Sequence, residues 1–199
     1  MSKKKILITL VLSLVIVLAS FGIWNMTRNK KRPVTAAKEL VAIKAEAEKP
    51  QEPDTSDRLV IDKIGVDAKI TTVGLTKEGN MDAPASTDDV GWYKNSSKFG
   101  NTGASVLAGH YDSASGAKGV FYDLNKLKVG DEIVVNKFNG PKITYKVSKT
   151  KIYTATDKPS EVFNSSGGAY LNLITCTGSW DKNKDQYDKR LVVFTKLVK

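Results

Sequence analysis

The chain has 199 residues, 41% hydrophobic and 26% charged, which supplies one ordinary packed domain with extensions and argues against global disorder. A single cysteine excludes an intramolecular disulfide, and with a single histidine it leaves a Cys/His zinc site short of its usual about four ligands. The formal charge of +10 divides into +4 over residues 1–57 (10 Lys+Arg against 6 Asp+Glu) and +6 over 58–199 (21 against 15); the lysines are scattered and not grouped with exposed-type aromatics, which argues against nucleic acid as partner and for a basic face near an anionic envelope.

Ile6 to Trp24 carries no charge and is mostly Ile, Leu and Val, with Lys3, Lys4 and Lys5 before it and Arg28, Lys30, Lys31 and Arg32 after it. The 18 residues from Ile6 to Ile23 would span about 27 Å as a helix, close to a hydrocarbon core of about 30 Å. A secretory leader is the competing reading, but its apolar region is shorter, about 7–15 residues before a small-x-small site, and Ser20-Phe21-Gly22 matches that site poorly. An uncleaved membrane anchor over residues 1–24 fits the length better. Charge leaves its orientation undecided, because both flanks are basic. No cysteine lies near the segment, so a lipoprotein anchor is excluded. AAKELVAIKAEAE (36–48) has helical composition, and KPQEPDTSD (49–57) then breaks regular structure with two prolines. Residues 25–57 therefore read as a charged spacer in front of a domain over 58–199.

From Arg58 the pattern becomes that of strands. RLVIDKIGV (58–66) and AKITTVGL (68–75) are short β-type runs, and ASVLAGH (104–110) is an apolar run that ends on His110. GVFYDLNKL (119–127) places Val120, Phe121, Leu124 and Leu127 at helical spacing and predicts a short helix. DEIVVNKF (131–138) and PKITYKVSKTKIY (141–153) flank Asn139-Gly140, which predicts a hairpin closed by a tight positive-φ turn, with Pro141 at a strand start or edge. AYLNLITC (169–176) and RLVVFTKLV (190–198) add two more strands. Seven or eight short strands in about 140 residues indicate an all-β closed barrel or sandwich. A parallel α/β fold is disfavoured, because few connections are long enough for crossover helices.

Three residues are singular in this domain: its only histidine, His110, its only cysteine, Cys176, and Arg190, one of two arginines against nineteen lysines. A lone cysteine is ordinarily a small buried hydrophobe. Here His110 and Cys176 both close apolar runs and both enter turn-rich stretches, GHYDSASGAKG and CTGSWDKNKDQ, where catalytic side chains concentrate at the ends of rigid sheets. Arg190 opens the last predicted strand, where a planar two-donor cation does what lysine cannot.

VLAGH, then LITC, then an arginine at a closing strand resembles the sortases, membrane-anchored cysteine transpeptidases of Gram-positive bacteria. IGVDAKITTVGLTKEGNMDAP, VGWYKN, SVLAGHYDS, GVFYDLNKLKVGDEI and LNLITCTGSWD resemble the class F group most, and the similarity covers roughly residues 58–198. One departure is Asn172, where the family commonly has threonine in Thr-Leu-x-Thr-Cys. The resemblance implies an eight-stranded β-barrel with its site at one end, the N-terminus inside and the domain outside the cytoplasmic membrane. It also implies Cys176 as nucleophile, His110 as acid/base and Arg190 as carbonyl-stabilising donor. The implied substrates are surface proteins with a C-terminal Leu-Pro-x-Thr-Gly-like signal and an amine acceptor such as a peptidoglycan precursor.

Around these three, Thr175 and the backbone after Cys176 are candidates to complete an oxyanion site, and Asp112 is a candidate to orient the imidazole or simply to cap its loop. Trp92 and Trp180 are candidates to line a peptide groove, with core packing the simpler fate of either. The acids of DKNKDQYD (181–188) are interleaved with lysines that oppose a cation, so no metal and no cofactor is expected. Two rivals remain: an L,D-transpeptidase-type enzyme, whose nucleophile usually follows Ser/Thr-x-Gly rather than Leu-Ile-Thr, and a non-catalytic β-barrel binding module.

Overall fold

Alternation of apolar and polar residues builds the first strands. In β2 (Val66–Val73), Val66, Ala68 and Ile70 are buried while Asp67 and Lys69 are exposed, the period of a sheet with one face in a core. The structure, a computed structural model, describes Asp54 and residues 56–198. The expected anchor over 1–24, the helical stretch 36–48 and most of the spacer lie outside the described residues. Among the described residues no helix is long and apolar enough to cross a membrane.

The remaining strands are β1 (Arg58–Ile61), β3 (Val90–Tyr93), β4 (Gly103–Gly109), β5 (Glu132–Asn136), β6 (Lys142–Thr154), β7 (Ala169–Asp181) and β8 (Gln186–Leu197), with one short helix, α1 (Ser160–Phe163), between β6 and β7. They close into a barrel in the order β1-β2-β3-β4-β7-β8-β6-β5, with β5 pairing back onto β1. Two pairs, β2–β3 and β4–β7, are parallel and the rest antiparallel. Closure leaves no free sheet edge.

Two apolar clusters lie on opposite faces of the same strands. The barrel interior holds Leu59, Ile70, Trp92, Leu107, Tyr145, Leu171, Leu173 and Val193 among others. The second cluster covers the outer face of β4, β7 and β8 with Ala104, Val106, Val192 and Phe194, joined by Tyr153 and Val162. Strands buried on both faces read as continuous apolar runs, which is why ASVLAG and LVVF lack alternation. Each fully buried Leu, Val or Phe contributes about 1.5–3 kcal/mol.

Trp92 takes core packing, the simpler of its two expected fates: it is 1% exposed in the barrel interior, with its indole N–H donating to the Ser97 carbonyl at 3.3 Å. Other sequence expectations are corrected. Residues 119–127 form turns and a single 3-10 turn at Leu124–Lys126 in place of the predicted helix; their apolar spacing serves to plug Phe121 and Leu124 into the core. The β5–β6 connection spans 137–141, and neither Asn139 nor Gly140 has positive φ, so it is not the two-residue turn its Asn-Gly suggested. Pro141 does sit immediately before β6. Cys176 does not end its strand. Thr-Gly-Ser after it forms a β-bulge, with a register shift between Thr177 and Trp180 and Gly178 at φ +89°, and β7 continues to Asp181. Likewise Arg190 is inside β8, which begins at Gln186.

Candidate active site

Register brings the three singular residues together. β7 and β8 are antiparallel with Cys176 directly opposite Arg190. β4 and β7 are parallel with Ala108 opposite Ile174, so continuing that register by two residues sets His110 level with Cys176. Side chains alternate along a strand, and Ile174 and Val192, two residues from Cys176 and Arg190, belong to the outer cluster. The thiol and the guanidinium therefore share the outer face of the barrel wall, with the histidine at the end of the neighbouring strand.

Thr175 secures that alignment. It is buried, and its Oγ1 donates to the Gly109 carbonyl at 2.8 Å, joining the residue before Cys176 to the residue before His110. This is a correction: Thr175 points into the barrel and ties two strands, and is not an oxyanion donor. His110 is fixed from three sides. Its carbonyl accepts from the Phe121 N–H at 2.9 Å. A Cβ on Gly109 would lie 2.5 Å from the Phe121 ring and one on Gly119 2.5 Å from the His110 carbonyl oxygen, so both glycines permit the close approach. The ring Nε2 lies 2.8 Å from the Pro84 carbonyl oxygen. A carbonyl only accepts, so Nε2 carries a hydrogen, and Nδ1 is the ring nitrogen left to take up or release a proton.

Arg190 is anchored as a plane. Nη1 donates to the carbonyls of Tyr187 (2.8 Å) and Lys189 (2.9 Å), and Nη2 reaches Gln186 Oε1 at 3.4 Å. Burial pushes the Cys176 thiol above its ordinary range, Arg190 opposes that shift, and the Asp112 carboxylate adds to it. At neutral pH Cys176 is accordingly a protonated thiol.

Asp112 does not orient the imidazole. Its Oδ2 accepts from Tyr187 Oη at 2.5 Å, while the histidine ring is held by Pro84. Hydrogen bonding to Asp112 and then burial push the Tyr187 phenol up to about 12. Around this pair lie Tyr111, edge-on to Tyr187 at 5.4 Å, and Trp180, edge-on at 5.2 Å. Trp180, half exposed, thus flanks the thiol's surroundings on the β7–β8 hairpin.

Below Arg190 the outer face forms a groove of about 640 Å³. Its floor is Ile174, Val192 and Arg190. Met81 of the β2–β3 connection and Tyr93 line one side, and Val162 and Phe163 of α1 line the other. Most of the rest of the lining is polar, with Asp157, Lys158 and Gln186 among it, and Arg190 is the one of the three singular residues that lines the groove; a mixed groove of this size beside the thiol suits an extended peptide segment. No three His, Cys, Asp or Glu side chains among the described residues come together to hold a metal ion, and Asp181 and Asp188 are engaged by Lys184 and by the Ser179 N–H.

The Sortase domain family matches residues 59–198. The chain belongs to the sortase family. Solved sortases share its barrel. Sortase C1 of Streptococcus agalactiae is 25% identical with a TM-score of 0.59, over 75% of this chain and 70% of that one. Sortase C-1 of Actinomyces oris is 26% identical with a TM-score of 0.59, over 80% and 82%. The sortase D5 transpeptidase of Clostridium perfringens, at 24% identity and a TM-score of 0.57 over 78% and 86%, shares the fold. No curated protein matches the chain. The protein is thus a sortase-type cysteine transpeptidase. Sequence reasoning missed the Pro84 carbonyl and the Tyr187 phenol: a backbone carbonyl has no residue signature, and Tyr187 precedes the predicted last strand.

Proposed function

We propose that this sortase cleaves a Leu-Pro-x-Thr-Gly-like sorting signal between Thr and Gly and transfers the acyl part to an amine of the cell wall, with Cys176, His110 and Arg190 as its catalytic residues. The observation that carries the reading is the pairing of the thiol opposite the guanidinium, with the histidine level on the next strand and Arg190 lining the neighbouring groove. The Cys176 proton passes to the free ring nitrogen of His110, and Sγ, now a thiolate, attacks the threonine carbonyl carbon. Arg190 donates to the developing oxyanion. The C–N bond breaks as His110 gives a proton to the departing glycine amine, leaving a thioester. The incoming amine attacks that thioester, His110 takes its proton, and Cys176 leaves as thiolate. The reaction needs a thiolate and an imidazolium at once, so the rate climbs as the thiol ionises and falls as the imidazolium is lost, and a bell-shaped pH profile is expected.

The segments VGWYKN and SVLAGHYDS support a class F affinity, and the apolar run Ile6–Ile23 supports a single-pass anchor with a cytoplasmic N-terminus and the domain facing the cell wall. The test is mass spectrometry of the soluble domain after exposure to a thiol-reactive sorting-signal mimic. An adduct at Cys176 that His110→Ala abolishes is expected. Equal labelling of the variant and of denatured protein would instead assign the barrel a non-catalytic binding role.

A further inference from the structure

The side of the groove formed by α1 is a helix of only four residues between β6 and β7, too short to persist on its own propensity. Two separate latches hold it. From above, Glu161 accepts from Lys149 Nζ (2.7 Å), Lys151 Nζ (2.7 Å) and Tyr153 Oη (2.6 Å), all three donors projecting from β6. The lysines are themselves seated on aromatic faces, Lys149 over Phe194 at 4.4 Å and Lys151 over Tyr153 at 4.7 Å. From below, Asn172, 1% exposed in β7, donates its side-chain Nδ2 to the Val162 carbonyl at 2.7 Å. That carbonyl belongs to a buried residue lining the groove. Threonine at 172 carries its donor on Cβ, one bond nearer the backbone than the amide nitrogen, and loses this reach.

We propose that Glu161 and Asn172 are positioning residues that hold α1 as a pre-formed side of the peptide groove, so that the sorting signal binds without first ordering the segment between β6 and β7. Neither residue takes part in the chemistry. Glu161 does not line the groove, and Asn172 acts through the Val162 backbone. The consequence is an affinity effect: ordering that wall is a cost removed before the peptide arrives. The three donors hold the Glu161 carboxyl down at about 2, so the upper latch stays ionised at every pH at which thiol chemistry runs.

The inference rests on the groove being the peptide site, and the test separates the two ideas. Wild type, Glu161→Gln, Asn172→Thr and a control, Glu132→Gln, which breaks the comparable exposed pair Lys146–Glu132, are compared with a fluorogenic sorting-signal peptide, with iodoacetamide, and by amide hydrogen exchange. Glu161→Gln is expected to raise KM about threefold and Asn172→Thr about tenfold, since the latter strands a buried carbonyl. In both, kcat and the iodoacetamide rate at Cys176 stay within about twofold of wild type, and exchange at the Val162 and Asn164 amides accelerates while β4 is unchanged. Lys149→Arg, which keeps a donor, retains the wild-type KM, and so does the control. Unchanged exchange at residues 160–164 in both latch variants overturns the proposal, as does a fall in kcat that tracks the iodoacetamide rate. If wild type leaves the peptide intact, the assigned substrate is wrong, and the exchange measurement still decides the latch.

Discussion

A lysine at position 190 would keep the charge and lose the geometry. Arg190 spends Nη1 on two backbone carbonyls of its own strand, which fixes the plane of the guanidinium opposite Cys176. A lysine offers one rotatable ammonium that cannot be anchored and aimed at once. Arg190→Lys is expected to lower kcat about 100-fold, the usual scale for losing one oxyanion donor, with a smaller change in KM; steady-state kinetics on the sorting-signal peptide measure both, and near-normal turnover would remove the assigned role. A second expectation concerns the thiol. Burial and the Asp112 carboxylate both push Cys176 up, and Arg190 pulls it down. A group raised in this way holds its proton to higher pH, so alkylation of Cys176 should rise with a midpoint above that of an ordinary thiol. Asp112→Asn removes one of the two upward influences and should move that midpoint down. Replacing Arg190 should move it up. Iodoacetamide rates across pH follow the titration directly, and an unchanged midpoint in Asp112→Asn would show that the carboxylate does not act on the thiol.

Between strands, the histidine and the cysteine depend on one hydroxyl. Thr175 joins β7 to β4 through the Gly109 carbonyl, one residue before Cys176 and one before His110. Thr175→Val keeps the branched shape and strands that buried carbonyl, costing about 1–3 kcal/mol. Small misplacement of reacting groups is expensive in rate, so kcat is expected to fall about tenfold or more with KM little changed. Thr175→Ser, which keeps the hydroxyl, should recover most of the loss; if it does not, the hydrogen bond is not what matters at this position. This strand-to-strand tie marks the limit of what the sequence disclosed. The barrel strands were legible because β-branched runs and alternation follow directly from one-sided burial, and His110, Cys176 and Arg190 were legible because each is singular in the domain. The continuation of β7 past Cys176 was not, since Gly178-Ser179 has the same residue types whether it makes a turn or a bulge. The spacing of Val120, Phe121, Leu124 and Leu127 read as a helix because a core-facing 3-10 turn meets the same constraint. Thr175 was a candidate for the site as the neighbour of Cys176, but the alternation of side chains sends it into the barrel, where Trp92 takes the core position that was its simpler reading. Asn172 stood out only as a departure from the family pattern, and its meaning required seeing Val162 above it.

At the scale of the domain, the barrel begins before its first strand. The sequence pattern changes at Arg58, and the residue before it, Asp57, is already built into the barrel. It is 1% exposed, its Oδ1 accepts from the Phe138 N–H at 3.0 Å, its carbonyl accepts from the Ile70 N–H at 2.9 Å, and its own N–H donates to the Asp54 carbonyl at 2.8 Å. One residue thereby closes the β5–β6 connection against β2 at the point where β5 pairs back onto β1. A chain cut to begin at Arg58 leaves the Phe138 and Ile70 N–H groups without those acceptors, at about 1–3 kcal/mol for each donor that stays buried. A domain of this size loses about 2–4 °C in Tm per kcal/mol. The fragment 58–199 should therefore unfold several degrees below the fragment 52–199 in matched thermal scans. Well below both midpoints the two should process peptide at the same rate, because the hydrogen bonds of His110, Thr175 and Arg190 run to Pro84, Gly109, Tyr187, Lys189 and Gln186. Coincident midpoints would mean that Asp57 only rests on the barrel. A rate that falls while the fold persists would mean that closure at this seam reaches the thiol.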